Sequence, residues 1–155
     1  MSDTAFPPPP ADRTPGPGPD ALGRSECWTL LRSRSVGRIG FVVDDWPLVL
    51  PVNYAIDAQD VVIRTGPGAK LASIQPGAQV TLEVDSTETL YRSGWSVLLF
   101  GLARVVTDPD ELRHAKSLAL KPWVAGELPY WVKIRPVQVT GRRLPRAWQY
   151  PGPLP

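Results

Sequence analysis

The chain has 155 residues, a formal net charge of +2 at pH 7 and one cysteine, Cys27. This length suits a single domain, the small charge argues against a nucleic-acid partner, and one cysteine excludes an internal disulfide or a cysteine-based zinc site. No apolar run approaches membrane-spanning length and the N-terminus lacks the apolar core of a signal peptide, so we expect a cytoplasmic protein with no membrane partner.

Proline separates the ends of the chain from its centre. Residues 1–20 carry a Pro7–Pro10 run and further prolines but few apolar side chains. Such a segment cannot bury enough surface to offset the entropy lost on ordering, so we predict a disordered arm. The folded domain is predicted over 21–148, followed by a flexible tail over 149–155.

The sequence pattern of the first half of the domain predicts a helix followed by an antiparallel β-meander. A helix is predicted over 20–34, because its apolar residues fall on one face. Apolar, β-branched runs predict strands over 36–43, 48–56 and 61–65. Turns of about four residues join these strands, which favours antiparallel hairpins over βαβ units.

The second half continues the same pattern. A short helix over 69–74 precedes an alternating strand over 78–85, and polar residues 86–94 predict a loop or an irregular hairpin. A long strand is predicted over 95–106, with Gly101 at a bulge or a close backbone approach. The sequence Asp108-Pro109-Asp110-Glu111 predicts a helix start, and that helix is expected to end near Leu120. A last strand is predicted over 130–140, with Pro136 at an edge or a bulge.

These elements predict a mainly β protein, a six-stranded antiparallel β-barrel with a few short helices. Segments 41–43 and 97–100 are apolar at consecutive positions, so both faces of their strands are apolar. One face would fill the barrel, and the other needs a cover from a helix or a second subunit. This pattern is the sequence argument for a homodimer.

The segment from Arg64 to Leu71, RTGPGAKL, is the first candidate site. A strand, a glycine-bearing turn and a helix start favour anion binding, because the first helical N–H groups lack partners. Arg64 adds a planar donor fork, Thr65 a hydroxyl and Lys70 a point charge. The segment therefore predicts a phosphate site. The alternative is that Arg64 and Lys70 are simply solvated cations on a turn. The spacing of the glycines matches neither the P-loop nor the dinucleotide-binding fingerprint.

Other polar residues support catalysis weakly. Asn53, within a predicted strand, needs a hydrogen-bond partner and is either a second wall of the site or a sheet-edge contact. Ser96 could offer a hydroxyl to a phosphate. The single histidine, His114, lies within a helix without an evident orienting partner, so acid–base catalysis is not predicted. The spacing of His, Cys and carboxylates predicts no metal site.

Five segments resemble, in their order and spacing, the pyridoxamine 5'-phosphate oxidase-like family of FMN-binding split β-barrels, in its nitroimidazole-reductase-like branch. They are VGRIGF from Val36, LVLPVNY from Leu48, VVIRTGPGAKL from Val61, WSVLLFGLA from Trp95 and IRPVQVTGR from Ile134. The resemblance covers roughly residues 25–144.

The resemblance implies a homodimer with two FMN sites at the subunit interface. It implies that Val52, Asn53 and Tyr54 line the isoalloxazine ring. It also implies that the ribityl phosphate is contacted by three residues of the first candidate site, Arg64, Thr65 and Lys70, and that FMN is reached by Ser96 as well. A phosphate monoester carries nearly two negative charges, which agrees with the electrostatic argument for that segment.

The implied activity is that of an oxidoreductase, which passes hydride or electrons from a reduced nicotinamide such as NADPH to a small acceptor. A non-catalytic carrier or sensor of flavin, deazaflavin or haem is the alternative. Pyridoxal phosphate synthesis is not expected, because Arg142-Arg143-Leu144 lacks the histidine of the family's Arg-x-His substrate motif.

Overall fold

The computed structural model describes residues 20–88, 93–121 and 126–144. The proline-rich arm, except for Asp20, and the tail predicted over 149–155 lie outside these ranges. Within them the chain forms three helices: α1 (Arg24–Arg32), α2 (Ala69–Ser73) and α3 (Pro109–Ser117). None of the described helices is both long and apolar enough to cross a membrane.

Six antiparallel strands form a closed barrel in the order β1-β2-β3-β6-β5-β4, with β4 pairing back to β1. The mainly β, six-stranded antiparallel prediction is therefore confirmed. The strands are β1 (Val36–Val43), β2 (Trp46–Asp57), β3 (Asp60–Thr65), β4 (Ala78–Glu88), β5 (Ser93–Val105) and β6 (Tyr130–Leu144).

The main core fills the barrel, because alternate residues of each strand point inward. α1 packs onto it through Cys27, Trp28 and Leu31. A second cluster lies on the outer face under α3. Its buried residues are Val62, Val106, Ala115, Leu120 and Trp131.

Helix and strand ends differ from the predicted ones for non-local reasons. α1 begins only at Arg24, because the residues before it pair with β6: Ala21 forms a bridge with Arg142, and the Leu22 N–H donates to the Gly141 carbonyl at 2.9 Å. β4 and β5 extend into the segment predicted as a loop or an irregular hairpin, and they remain paired as far as Glu88 and Ser93.

A β-bulge interrupts the pairing of β5 with β6. Phe100 lies opposite Gln138, whereas Gly101 lies opposite Pro136, so Val137 is the extra residue. A Cβ on Gly101 would lie 2.6 Å from the Ile134 side chain. Both roles predicted for Gly101 are thus present. Pro136 takes the bulge alternative rather than the edge one, since β6 lies between β3 and β5.

We expect Gly101→Ala to destabilise the fold by about 1–3 kcal/mol, because overpacking forces neighbouring atoms to move. Gly40→Ala is the matched control: it lies in β1, and its added Cβ would come no closer than 3.7 Å to a neighbour. Urea denaturation measures both unfolding free energies. Equal effects of the two substitutions would contradict the close approach at the bulge.

The closed barrel has a local gap beside the first half of β2, which we call the split. β3 pairs only with Tyr54–Asp57, so among the described residues the part of β2 before Tyr54 has β1 as its strand partner. We call the adjoining end of β1 and β2 the hairpin tip. Its exposed apolar residues are Val42 (59%), Trp46 (75%), Leu48 (36%), Val49 (64%) and Leu50 (41%).

Candidate functional site

Two of the three β2 residues predicted to line a flavin ring have side chains in the core. Val52 and Tyr54 are 6% and 2% exposed. The Tyr54 hydroxyl donates to the Leu31 carbonyl at 2.6 Å, and burial raises the pKa of Tyr54. Their side chains therefore face the core and not the outer face of the barrel.

Asn53 lies between them and points to the outer face of the barrel. Its side-chain amide donates to the Ser35 carbonyl at 3.4 Å. The same carbonyl accepts the Tyr54 N–H at 3.0 Å. Asn53 therefore has a hydrogen-bond partner, as expected, and it links β2 to the chain just before β1.

The predicted phosphate corner, residues 65–70, lies at the end of β3 next to the split. Continuing the register beyond Tyr54 and Ile63 brings Thr65 towards Val52. Thr65 is 4% exposed, and its hydroxyl donates to the Gly66 carbonyl at 3.1 Å. Gly68 has φ 144°, a conformation that side chains disfavour, and it leads directly into α2.

Lys70 is the corner's partly buried cation. Burial lowers the pKa of its ammonium group, because the charged form loses hydration. Among the described residues no carboxylate lies within ion-pair distance of Lys70. A half-buried positive charge without an acidic partner is chemically suited to an anionic ligand.

Arg64 lies on the opposite face of β3 from Thr65, because neighbouring residues of a strand alternate in direction. Its Nε and Nη2 atoms donate to the Leu128 carbonyl at 3.1 and 2.9 Å. Its guanidinium also lies 4.9 Å from the centre of the Trp131 ring. These contacts position the chain next to Gly66, and phosphate binding by Arg64 remains a prediction.

Ser96 lies away from this corner within one chain. It pairs with Asp85 of β4 and Arg142 of β6, whereas Thr65 pairs with Tyr130 at the other end of β6. β4 and β1 separate its strand from β2. The register thus brings Thr65 towards Val52–Tyr54 beside the split, with Lys70 following in α2, and it does not add Ser96 to them.

A basic groove was missed in the sequence. It adjoins Asn53 and lies between the end of α1 and the start of β1. It has a volume of about 410 Å³ and is lined by Arg32, Ser33, Arg34, Ser35 and Val36. The alternation of arginine and serine without an intervening acid was the signal that could have revealed it.

A second cavity, of about 260 Å³, lies under α3. There His114 is 2.9 Å from Asp57, and Lys133 is 3.2 Å from the same carboxylate. The hydrogen bond from His114 is the main cause of the lowered pKa of Asp57. The charges around this cavity are thus paired with one another, which suits a structural role.

Comparison with known proteins agrees with this architecture. The family model described as pyridoxamine 5'-phosphate oxidase matches residues 23–143. An uncharacterized protein of Mycobacterium tuberculosis, Rv0080, is 36% identical over 128 residues, which cover 79% of this chain and 84% of that protein.

Solved structures show the same fold. An FAD-binding protein from Mycobacterium smegmatis is 38% identical, covers 80% of this chain and 97% of its own, and superposes with a TM-score of 0.70. A Bacteroides thetaiotaomicron structure assigned to 5-nitroimidazole antibiotic resistance is 17% identical, covers 79% of this chain and 87% of its own, and has a TM-score of 0.60, which is a likeness of fold alone. The chain belongs to the pyridoxamine 5'-phosphate oxidase-like family, as its sequence motifs predicted.

Proposed function

We propose that this protein binds a flavin beside the split of the barrel and uses it as a redox cofactor. Lys70 carries the proposal, as a partly buried cation with no acidic partner in the described chain, next to the turn that begins with Thr65. The ribityl phosphate of FMN carries nearly two negative charges and would supply the missing counter-charge. The FAD-binding relative from Mycobacterium smegmatis supports a flavin, and FAD carries a phosphate at the same ribityl position.

The ring would lie along β2, where the split leaves the strand partly uncovered. Val52 and Tyr54 would line this stretch of β2. The main-chain groups of Asn53 would face the ring, because those of Tyr54 point to the Ser35 carbonyl and neighbouring residues of a strand alternate in direction. Main-chain N–H and C=O groups match the alternating donors and acceptors at the polar edge of a flavin ring. The role of these residues is binding and orientation.

We also propose that two copies of the chain form the complete site. The hairpin tip exposes five large apolar residues, and monomeric proteins rarely leave such a patch uncovered. Ser96 is remote from the corner within one chain, so its predicted contact with the cofactor would come from the second copy. In this arrangement the hairpin tip would exclude water from the ring.

The proposed reaction is transfer of hydride or electrons from NADPH to a small acceptor. A bound flavin supplies the redox chemistry, and the protein supplies orientation and electrostatics. That division suits a site where the described residues offer a cation, a hydroxyl and backbone groups but no nucleophile paired with a base. A carrier or sensor that never turns over is the second candidate.

Anaerobic mixing of the flavin-loaded protein with NADPH separates the two candidates. We expect the visible absorbance of the flavin to bleach well within minutes, because enzymes typically turn over at about one per second or faster. Dithionite is the control, because it reduces flavins without a nicotinamide site. Bleaching by dithionite but not by NADPH would contradict the NADPH-dependent enzyme and support the carrier.

A further inference from the structure

We propose that the basic groove between α1 and β1 is a second anion site, which binds the phosphate group of a small molecule. It is lined by residues 32–36, and Arg32 reaches the β2–β3 turn through the Ala58 carbonyl. None of these residues belongs to the corner over 65–70. Its volume, about 410 Å³, is within the range of small-molecule sites. The proposal does not depend on flavin binding.

The groove carries two positive charges, and no acid in the described residues neutralises them. Within the described part of the chain, neither Arg32 nor Arg34 lies within 4.0 Å of a carboxylate oxygen. The cavity under α3 differs, since there Lys133 contacts both Asp57 and Asp60. Unneutralised guanidinium groups on a concave surface attract anions and suit phosphate oxygens geometrically.

Both guanidinium groups are held in place without using all of their donors. Arg32 donates through Nη2 to the Ala58 carbonyl at 2.8 Å and lies 5.6 Å from the centre of the Trp28 ring. Arg34 donates through Nη2 to the Ser86 hydroxyl at 2.5 Å and lies 5.8 Å from the centre of the Trp95 ring. Fixed side chains lose less entropy when a ligand binds.

The end of α1 would ordinarily oppose an anion, because the last carbonyl groups of a helix carry partial negative charge. Here two of those carbonyls already accept side-chain hydroxyl groups. The Leu30 carbonyl accepts the Ser33 hydroxyl at 2.6 Å, and the Leu31 carbonyl accepts the Tyr54 hydroxyl at 2.6 Å. The arginines therefore dominate the electrostatics of the groove.

Titration of the full-length protein with inorganic phosphate at low salt tests the site, with amide chemical shifts as the readout. We expect the largest shifts at residues 32–36. Shifts confined to residues 65–70, or no shifts, would overturn the proposal. This readout needs no flavin, so a failure of the flavin proposal would not change its outcome.

In the double variant Arg32→Gln/Arg34→Gln, the phosphate affinity reported by the shifts of residues 32–36 should fall at least about tenfold, the usual consequence of losing charged hydrogen bonds. Arg113→Gln is the control, because Arg113 is exposed on α3 and paired with Asp110. An unchanged affinity at residues 32–36 in the double variant would overturn the proposal. If the double variant unfolds, Arg34→Lys serves instead, because it keeps the positive charge but removes the planar pair of donors. Phosphate affinity at the groove should then fall a few-fold.

Two sources could supply the phosphate, a dinucleotide cofactor or a free phosphate ester. If a dinucleotide supplies it, the double variant should weaken FAD binding and leave FMN binding unchanged. If a free ester supplies it, both flavins should bind unchanged, and phosphate should still shift residues 32–36 in the flavin-loaded protein. Weakened binding of FMN itself would place the ribityl phosphate in the groove and overturn the proposal of a second site.

Discussion

Lys70→Ala should weaken FMN binding by about 1–3 kcal/mol, the usual range for a lost hydrogen bond to a charged group. Riboflavin binding should barely change, because riboflavin lacks the phosphate. Lys70 is partly buried and has no carboxylate partner among the described residues, so the substitution removes a charge that the folded chain does not use elsewhere. Isothermal titration with both ligands measures the difference.

The exposed lysine Lys116 on α3 gives the matched control. Lys116→Ala should leave both affinities within about 0.5 kcal/mol, as for most surface substitutions. Equal losses of affinity for FMN and for riboflavin in the Lys70 variant would mean that the phosphate lies elsewhere.

Arg64→Ala is also expected to weaken FMN binding by about 1–3 kcal/mol if Arg64 contacts the phosphate. That variant should in addition unfold more easily, because the Leu128 carbonyl loses its donors.

The same account predicts a pH dependence. Burial lowers the pKa of Lys70 below its ordinary value of 10.5, so its ammonium group loses its proton at a lower pH than an exposed lysine does. The preference for FMN over riboflavin should therefore be complete at neutral pH and should decline as the pH rises through the lowered pKa. A preference that stays constant up to pH 10.5 would contradict phosphate binding by Lys70.

Val49→Asp at the hairpin tip should convert the proposed dimer into monomers. Val49 is 64% exposed in one chain, and a second copy would bury it. An unpaired charge buried at an interface costs about 2–5 kcal/mol, which is at least tenfold in the dissociation constant of the dimer. Sedimentation velocity measures the change. Flavin binding should weaken in parallel, because the proposed site needs both copies.

Ala119→Asp adds the same charge at an exposed position after α3 and serves as the control. It should leave the association state unchanged. A wild-type protein that sediments as a monomer at every concentration would contradict the dimer. A Val49→Asp variant that remains fully dimeric would instead place the interface elsewhere on the barrel.

Local patterns predicted most of the barrel. Alternating and β-branched runs with tight turns gave the β1–β3 meander, and Asp108 caps α3 by accepting the N–H groups of Asp110 and Glu111, as its sequence predicted. The bulge was foreseeable because Gly101 and Pro136 each disfavour regular pairing. The start of α1 was not, since it depends on contacts with β6 more than a hundred residues away.

The site was predicted less completely than the fold. The period of a strand places Arg64 and Thr65 on opposite faces, so the sequence alone could separate the roles of these two residues. The contact of Arg64 with Leu128 could not be predicted, because the two residues are 64 positions apart. The remoteness of Ser96 follows from the β5–β6 register and its bulge, which individual strand patterns do not specify.

The most direct test of the central claim is to identify the molecule that heat-denatured protein releases. The account predicts a flavin, FMN or FAD, at one molecule per chain. The proposed dimer has two sites, and each site contains the Lys70 corner of one copy. Release of only a deazaflavin or haem would contradict it. So would release of no chromophore by a protein that also fails to bind added FMN and FAD.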